Sequence, residues 1–536
     1  MTYQKSIIVL FLTALVFSCG PKGPSLDERG LIPLPKSVST SNGSFELTSA
    51  ASIQLIGDQA SLQPLAQYFN QTIKRATGFE LKVGEGEGQI ILELYGGALD
   101  DESYELEITS SQAKISADSP AGIFYGIQTL LQAFPSQIFA PMAQNVNWIA
   151  PAGKIQDDPE YPYRGSMLDV ARHFIGMEDV KHYIDQMARL KLNYLHLHLT
   201  DDQGWRIEIK SWPKLTEIGG KTQVGGGEGG FFTQDDYKEL VRYAQERFIT
   251  IVPEIDMPGH TNAALAAYGE LNPGINLPDG DLSTVNHPGE ESEIDFTSKM
   301  ITREPAELYT GIEVGFSTFD TDLELTYQLV DDVVRELSEI TPGPYFHIGG
   351  DESHVTAKDD YIKFVERVQD IVQKHGKISI GWDEVATANL LPGNIAQFWA
   401  MEDNAALAVG QGNQILMSPA KKSYLDMQYD STSRIGLHWA AYIELDSAYL
   451  WDPATYSSNI KKSDILGVEA PLWTETVENR ADIEYLTFPR LAALAEVAWS
   501  PGSSRDWESF KGRVAQLGES WEVQGIQFYK SPKVAW

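Results

Sequence analysis

From residue 161 onward, short apolar runs alternate with longer segments whose apolar positions recur three and four residues apart. The runs 165–170, 194–199, 249–253, 345–348, 378–381, 395–398, 414–417 and 467–472 read as buried strands. Segments 178–191, 233–247, 322–340 and 359–375 read as amphipathic helices between several of them. Eight apolar strands in this alternation predict an α/β fold, a (β/α)8 TIM barrel. Such a barrel carries its chemistry where the strands end, and polar and aromatic residues do collect there. They are Asp169 and Arg172, Asp201 and Asp202, Glu254 and Asp256, Asp351 and Glu352, then Trp382, Trp399, Tyr424 and Trp473.

Ahead of the barrel the period changes. Alternation over 89–94 and 104–108 predicts strands, and 61–77 and 120–134 predict amphipathic helices that cover them. These elements define a smaller α+β domain over 31–158, followed by the barrel domain over 159–536 with its C-terminal helix. Segments 219–230 and 271–310 lack periodicity, and the second is acidic and rich in Gly and Pro. Loops of that kind on a barrel rim commonly shape a binding site.

A chain of 536 residues accommodates two or three domains. Its 41 Lys and Arg against 75 Asp and Glu leave a formal charge of −34, and no basic run stands out that could grip a phosphate backbone. Nucleic acid is therefore excluded as a partner. The N-terminus carries Lys5, then an apolar run over 7–17, then Ser18 and Cys19. The run is too short to span a bilayer and reads as a signal peptide over 1–18. Cys19 is the sole cysteine, so no internal disulfide forms. Its place after Val16-Phe17-Ser18 resembles a bacterial lipobox, which implies lipidation at Cys19 and a tether over 19–30. The expected location is the bacterial periplasm or cell surface, anchored to the outer membrane.

The strongest local signal is His347-Ile348-Gly349-Gly350-Asp351-Glu352. Two adjacent acids after an apolar strand, with two glycines at the turn, enter one cleft, where one carboxyl can stay ionised while the other holds its proton. Glycoside hydrolysis needs that division of labour, because the leaving oxygen must be protonated at a pH where a free carboxyl is ionised.

This hexapeptide resembles the signature of the family 20 glycoside hydrolases, the bacterial β-N-acetylhexosaminidases among them. So do RGSMLDVARHF at 164–174, HLHLTDDQGWR at 196–206, PEIDMPGHT at 253–261, YLDM at 424–427 and EAPLWTE at 469–475. The resemblance runs from about residue 31 to about residue 500 and implies a non-catalytic α+β domain ahead of a barrel. It implies exo-acting, retaining hydrolysis of terminal β-linked N-acetylhexosamine, in which the substrate's own acetamido oxygen attacks the anomeric carbon to form an oxazolinium intermediate. By the same resemblance Glu352 is the general acid and base, Asp351 holds the acetamido N–H, and Tyr424 donates its hydroxyl to the acetamido oxygen. Trp382, Trp399 and Trp473 wall the acetamido slot, with Trp439 a further wall of the sugar site. Arg172, Asp426 and Glu475 bind the ring hydroxyls, and Asp201 with His260 supports Glu352. The partner is a glycan with a terminal β-N-acetylhexosamine; neither cofactor nor metal is implied.

Two other readings compete. His196 and His198 lie one residue apart on a predicted strand, a spacing that can chelate a metal together with Asp201 and His347. Alternatively, a glycan-binding protein could keep the pocket without catalysis, although Asp351, Glu352 and Tyr424 are all present. Trp148 and Trp536 read as packing residues.

Overall fold

The computed structural model describes residues 24–98, 101–274 and 303–536. The expected signal peptide, Cys19 and most of the loop 271–310 lie outside these residues. Two units are seen, a mixed sheet with its helices and a closed barrel.

The first unit is a seven-stranded sheet. Its strands are β1 (Ser37–Glu46), β2 (Ser52–Ile56), β3 (Lys82–Gly84), β4 (Ile90–Leu94), β5 (Tyr104–Ile108), β6 (Ala113–Ala117) and β7 (Ile149–Asp157), in the order β1-β7-β5-β6-β4-β2-β3. β1, β7, β5 and β6 pair antiparallel, whereas β6, β4, β2 and β3 pair parallel. Helix Gln59–Thr77 starts where the Asp58 side chain accepts the Ala60 N–H and stops at Gly78, whose φ of 71° is left-handed. It buries Leu62, Leu65, Ala66, Phe69, Ile73 and Ala76, one face at helical spacing.

Helix Pro120–Ala133 is buried on nearly all sides because it lies between sheet and barrel. Its Phe124 packs on Phe248 and its Tyr125 on Trp499, both across the junction. The strands β1, β2, β3, β6 and β7 were not predicted, since Ser-rich and short segments carry little alternation. Residues 24–30, expected as tether, instead fold against the body. Leu26 is fully buried, Arg29 donates to the Ile149 carbonyl at 3.2 Å, and Gln516 donates to the Glu28 carbonyl at 3.0 Å.

The barrel closes through eight strands, parallel between every pair of neighbours. In chain order they are β8 (Tyr163–Asp169), β9 (Tyr194–His198), β12 (Thr250–Glu254), β13 (Tyr345–His347), β14 (Ile378–Trp382), β15 (Ile395–Phe398), β16 (Gln414–Met417) and β17 (Ile465–Leu472). β10 (Thr200–Asp201) and β11 (Gly204–Trp205) form a small hairpin on the rim. All eight predicted barrel strands are present within a few residues of their expected bounds. The predicted helices appear as Met177–Arg189, Gln234–Gln245, Glu324–Ile340 and Lys358–Lys374. Between β14 and β15 only the single turn Asp383–Thr387 forms, and short turns of helix at Ala420–Ser423 and Leu445–Tyr449 precede β17. The barrel floor is apolar, with Tyr163 stacked on Tyr194 at 4.0 Å over Val252, Ile380, Ile395, Leu416 and Leu466. Above it lies a polar layer of His196, Glu254, His347, Gln397 and Glu469, each buried.

Sheet and barrel are riveted by one buried acid at the end of β7. Asp157 accepts Lys191 Nζ at 2.9 Å, Tyr104 Oη at 2.7 Å, Trp499 Nε1 at 3.0 Å and the Lys36 N–H at 3.0 Å. Lys191 is 1% exposed, so removing its counter-charge strands a buried ammonium. We expect Asp157→Ala to cost about 3–5 kcal/mol in urea unfolding. Asp158→Ala, which removes only a half-exposed pair with Lys36, should cost under about 1 kcal/mol. Equal costs for the two variants would refute the rivet.

Candidate active site

The site lies over the C-terminal ends of the barrel strands. In-register pairing places Asp169, His198, Glu254 and His347 side by side at the tops of four consecutive strands. The chain then turns sharply after β13. Gly349 has φ +65°, and a Cβ there would lie 1.7 Å from Asp256 Oδ1. The turn approaches Asp256 so closely because the Gly350 N–H donates to Asp256 Oδ1 at 3.0 Å. Glu352 follows at φ 47° and His260 sits at φ 55°, left-handed conformations that non-glycine residues adopt only under constraint.

Three cations converge on Asp201. Arg172 Nη1 lies 2.7 Å from Oδ2, His198 Nε2 2.7 Å from Oδ2, and His260 Nδ1 3.2 Å from Oδ1. Burial works to raise the Asp201 carboxyl, but the charges of Arg172 and His260 and the histidine hydrogen bonds hold it well below the usual carboxylate range. Burial likewise works to lower His260, and the charges of Asp201 and Asp351 raise it well above an ordinary imidazole. The other ring nitrogen of His260 faces the acid pair, with Nε2 3.6 Å from Glu352 Oε2 and 3.7 Å from Asp351 Oδ2. His260 thus lies between Asp201 on one side and the Asp351–Glu352 pair on the other.

Burial, then the nearby Glu352 charge, pushes the Asp351 carboxyl up to about 6 against the pull of His260. Asp256 faces it, and burial plus the Asp351 charge raise the Asp256 carboxyl well above its ordinary value.

The aromatic residues form one continuous wall. Trp382 lies 5.6 Å from Trp473, Trp473 lies 6.3 Å from Tyr424, and Tyr424 stacks near-parallel to Trp399 at 6.3 Å between ring centroids. Trp439 meets both Trp399 and Tyr424 edge-on at 6.0 Å. The indoles are also tied down: Trp382 Nε1 donates to Glu254 Oε1 and Trp399 Nε1 to Glu384 Oε2, each at 3.0 Å. The turn that carries Trp399 is clamped by Asp383, whose carboxylate accepts the N–H groups of Trp399, Ala400 and Met401. Arg172 lies over the Trp473 ring at 4.6 Å. Burial and the Glu475 charge raise Asp426 well above the usual range, and burial brings Glu475 up to about 7 against the pull of Arg172.

These observations can be set beside known proteins. A model of the catalytic domain of glycosyl hydrolase family 20 matches residues 161–359 and 353–502, and a model of domain 2 of that family matches 28–158. The chain belongs to glycosyl hydrolase family 20. A β-N-acetylhexosaminidase of Cellulomonas fimi is 37% identical over 522 residues, which cover 95% of this chain and 98% of that protein. The structure of the Streptomyces plicatus N-acetyl-β-hexosaminidase in complex with Thio-NAglucal superposes with a TM-score of 0.88 at 42% identity. It covers 96% of this chain and 99% of that one. A family 20 exo β-N-acetylglucosaminidase of Vibrio harveyi, in complex with N-acetylglucosamine, gives a TM-score of 0.78 at 29% identity, covering 94% and 78%.

In this family 20 chain every site residue named from sequence, apart from Cys19, lies among the described residues, and ring contacts, ion pairs and close charges link them in one cluster over the strand ends. Several buried polar atoms there lack a protein partner: Arg172 Nε, His260 Nε2, Asp351 Oδ1, Asp426 Oδ1 and Glu475 Oε2. Buried polar groups are ordinarily paired, so a cluster of unpaired ones marks a place for a polar ligand. Arg172, expected from sequence at the edge of the sugar site, has its Nη1 committed to Asp201. Asp256, Asp383 and Glu384 were not assigned roles from sequence, and His198 only in the metal reading, although each lies on or directly after a barrel strand, the same signal that marked their neighbours. The competing metal reading meets four imidazole nitrogens that already face carboxylates. His196 bridges Glu469 and Glu254, and His198 bridges Glu254 and Asp201. Trp148 is buried core, and Trp536 packs against Phe528.

Gly349→Ala tests how tightly the acid turn is built. The left-handed backbone alone penalises a Cβ by about 1–2 kcal/mol, and the contact with Asp256 adds to it. We expect a drop in the urea midpoint; an unchanged midpoint would show that the turn has slack.

Proposed function

We propose that the chain is an exo-acting, retaining β-N-acetylhexosaminidase that removes terminal N-acetylglucosamine or N-acetylgalactosamine from β-linked glycans. The observation that carries this reading is the cluster of unpaired buried polar atoms beneath a wall of indoles, with Glu352 beside it as the more exposed of the acid pair. The names of the matched relatives support it.

In the reaction, Trp382, Trp399, Trp473 and Tyr424 confine the acetamido group, and Tyr424 donates its hydroxyl to the carbonyl oxygen. Asp351 accepts the acetamido N–H and stabilises the positive charge that grows as the oxygen attacks the anomeric carbon. The C–O bond to the leaving group breaks as Glu352 gives that oxygen its proton. The oxazolinium intermediate is then opened by water, whose proton returns to Glu352, and configuration is retained. Asp201 and His260 act through Glu352 by placing an imidazolium beside it. Arg172, Asp426, Glu475 and Trp439 hold the sugar ring. A pocket that encloses the terminal residue gives exo action.

We also propose that the protein is exported and lipid-anchored through Cys19, a reading supported by the apolar run 7–17 and by the sole cysteine after it. Among the described residues no helix is long and apolar enough to cross a membrane. Detergent phase partition tests the anchor: the full chain should enter the detergent phase, and Cys19→Ala should leave it.

With an aryl β-N-acetylglucosaminide, Glu352→Gln should lower kcat/KM by about 10²–10⁴, and Asp351→Asn by about 10²–10³. A substrate with hydroxyl in place of acetamide should scarcely react; normal turnover of it would falsify the acetamido mechanism. Asp351 must be ionised to stabilise the growing charge, and its carboxyl is raised to about 6. The rate should therefore fall as pH drops through about 6, because protonation there removes the charge. Asp351→Asn should flatten that acid limb, and a limb that persists in this variant would assign it to another group.

A further inference from the structure

Three groups that serve the proposed hydrolysis also form a donor set for a cation. His260 Nε2, one Asp351 oxygen and one Glu352 oxygen lie within 4.8 Å of one another. Nε2 is 3.7 Å from Asp351 Oδ2 and 3.6 Å from Glu352 Oε2. A tetrahedral zinc ion with bonds of about 2.0–2.2 Å holds its ligand atoms about 3.3–3.5 Å apart, so each carboxylate needs to close on His260 Nε2 by only a few tenths of an ångström.

Two further features point to a cation. The first is that His260 Nε2 is buried without a hydrogen-bond partner, on a residue 1% exposed. The other nitrogen of His260 is hydrogen-bonded to Asp201 Oδ1 at 3.2 Å. A histidine that presents one nitrogen to a metal while the other donates to a carboxylate is the usual outer-sphere arrangement of zinc sites, since it fixes the ring and raises its basicity. The barrel interior holds another cluster, His196, Glu254 and His347, but all three are fully buried. The pocket cluster has an entry path through Glu352, whose side chain is 15% exposed.

We infer that the catalytic pocket is also a reversible binding site for a zinc-class divalent cation, ligated by His260 Nε2, Asp351 and Glu352, with the fourth position open to water. Binding releases the Nε2 proton of His260 to solvent. The bound ion occupies the ground where the acetamido N–H and the leaving oxygen must sit, so zinc and sugar exclude each other. An imidazole among carboxylates selects zinc or copper over magnesium and calcium, which favour all-oxygen shells. The ion is an inhibitor, not a cofactor, and a chelator leaves turnover intact or raises it. The inhibition rests on the hexosaminidase reading; the binding does not.

Calorimetric titration of zinc chloride into the full chain tests the site. We expect one equivalent to bind and saturating N-acetylglucosamine to block it. Glu352→Gln, which preserves shape, should weaken zinc by about tenfold or more. Asp201→Asn leaves every ligand in place and should weaken it by about 10–100-fold through the outer sphere alone. Zinc should inhibit competitively against the aryl substrate, and magnesium should not inhibit. Zinc affinity unchanged in both variants, or zinc and N-acetylglucosamine binding together, would overturn the inference whether or not the enzyme is active. Zinc binding that weakens in both variants of a protein without hexosaminidase activity would keep the metal site and remove the functional reading.

Discussion

A single buried anion organises the working end of this barrel. Asp201 is surrounded by Arg172, His198 and His260, each within 3.2 Å. A lone carboxylate at that depth would give up its charge, and three unpaired cations would be costlier still. Together they form a charged cluster whose geometry is fixed from three directions. Through Arg172 it reaches Glu475, through His260 the acid pair, and through His198 the polar layer within the barrel. The residues proposed to bind the sugar and the acid pair therefore share one electrostatic anchor.

That anchor continues downward as a ladder of alternating carboxylates and imidazoles. Glu254 faces His196 Nε2 at 2.9 Å and pairs with His198 and Trp382, and Glu469 accepts from His196, Gln397 and Tyr163. Many barrels fill this level with branched apolar side chains. Here the same space carries buried carboxylates and imidazoles that face one another as ion pairs. The ladder also orients Trp382, whose indole N–H is bound to Glu254, so this indole is held by the barrel interior and not by the rim.

The acid pair shows the opposite strategy, strain held in place by packing. Gly349 and Gly350 let the chain turn onto Asp256, and Glu352 emerges in a left-handed conformation that ordinary loops avoid. Asp351 and Asp256 face each other, and burial raises both carboxyls. Two neighbours of the same chemical type thus hold different protonation tendencies because one is deeper and the other closer to His260.

The eight barrel strands were legible in the chain itself, and so was the place of the candidate site residues at the ends of those strands. A strand buried on both faces must be a continuous apolar run, and the residues that follow it are polar only when something there needs them. Alternation did not reveal β1 or β3, whose exposed, Ser-rich or three-residue stretches carry almost no pattern. Nor could spacing show that residues 24–30 dock on the body, since a single Leu26 decides it. What only the tertiary structure decided is pairing: that Arg172 spends a nitrogen on Asp201, that Asp256 faces Asp351, and that Glu384 and Asp383 secure Trp399. A sequence fixes which charges exist and on which strand each stands. Distance and burial set which of them share a proton, because a few ångströms across the barrel mouth separate residues that lie tens or hundreds of positions apart along the chain.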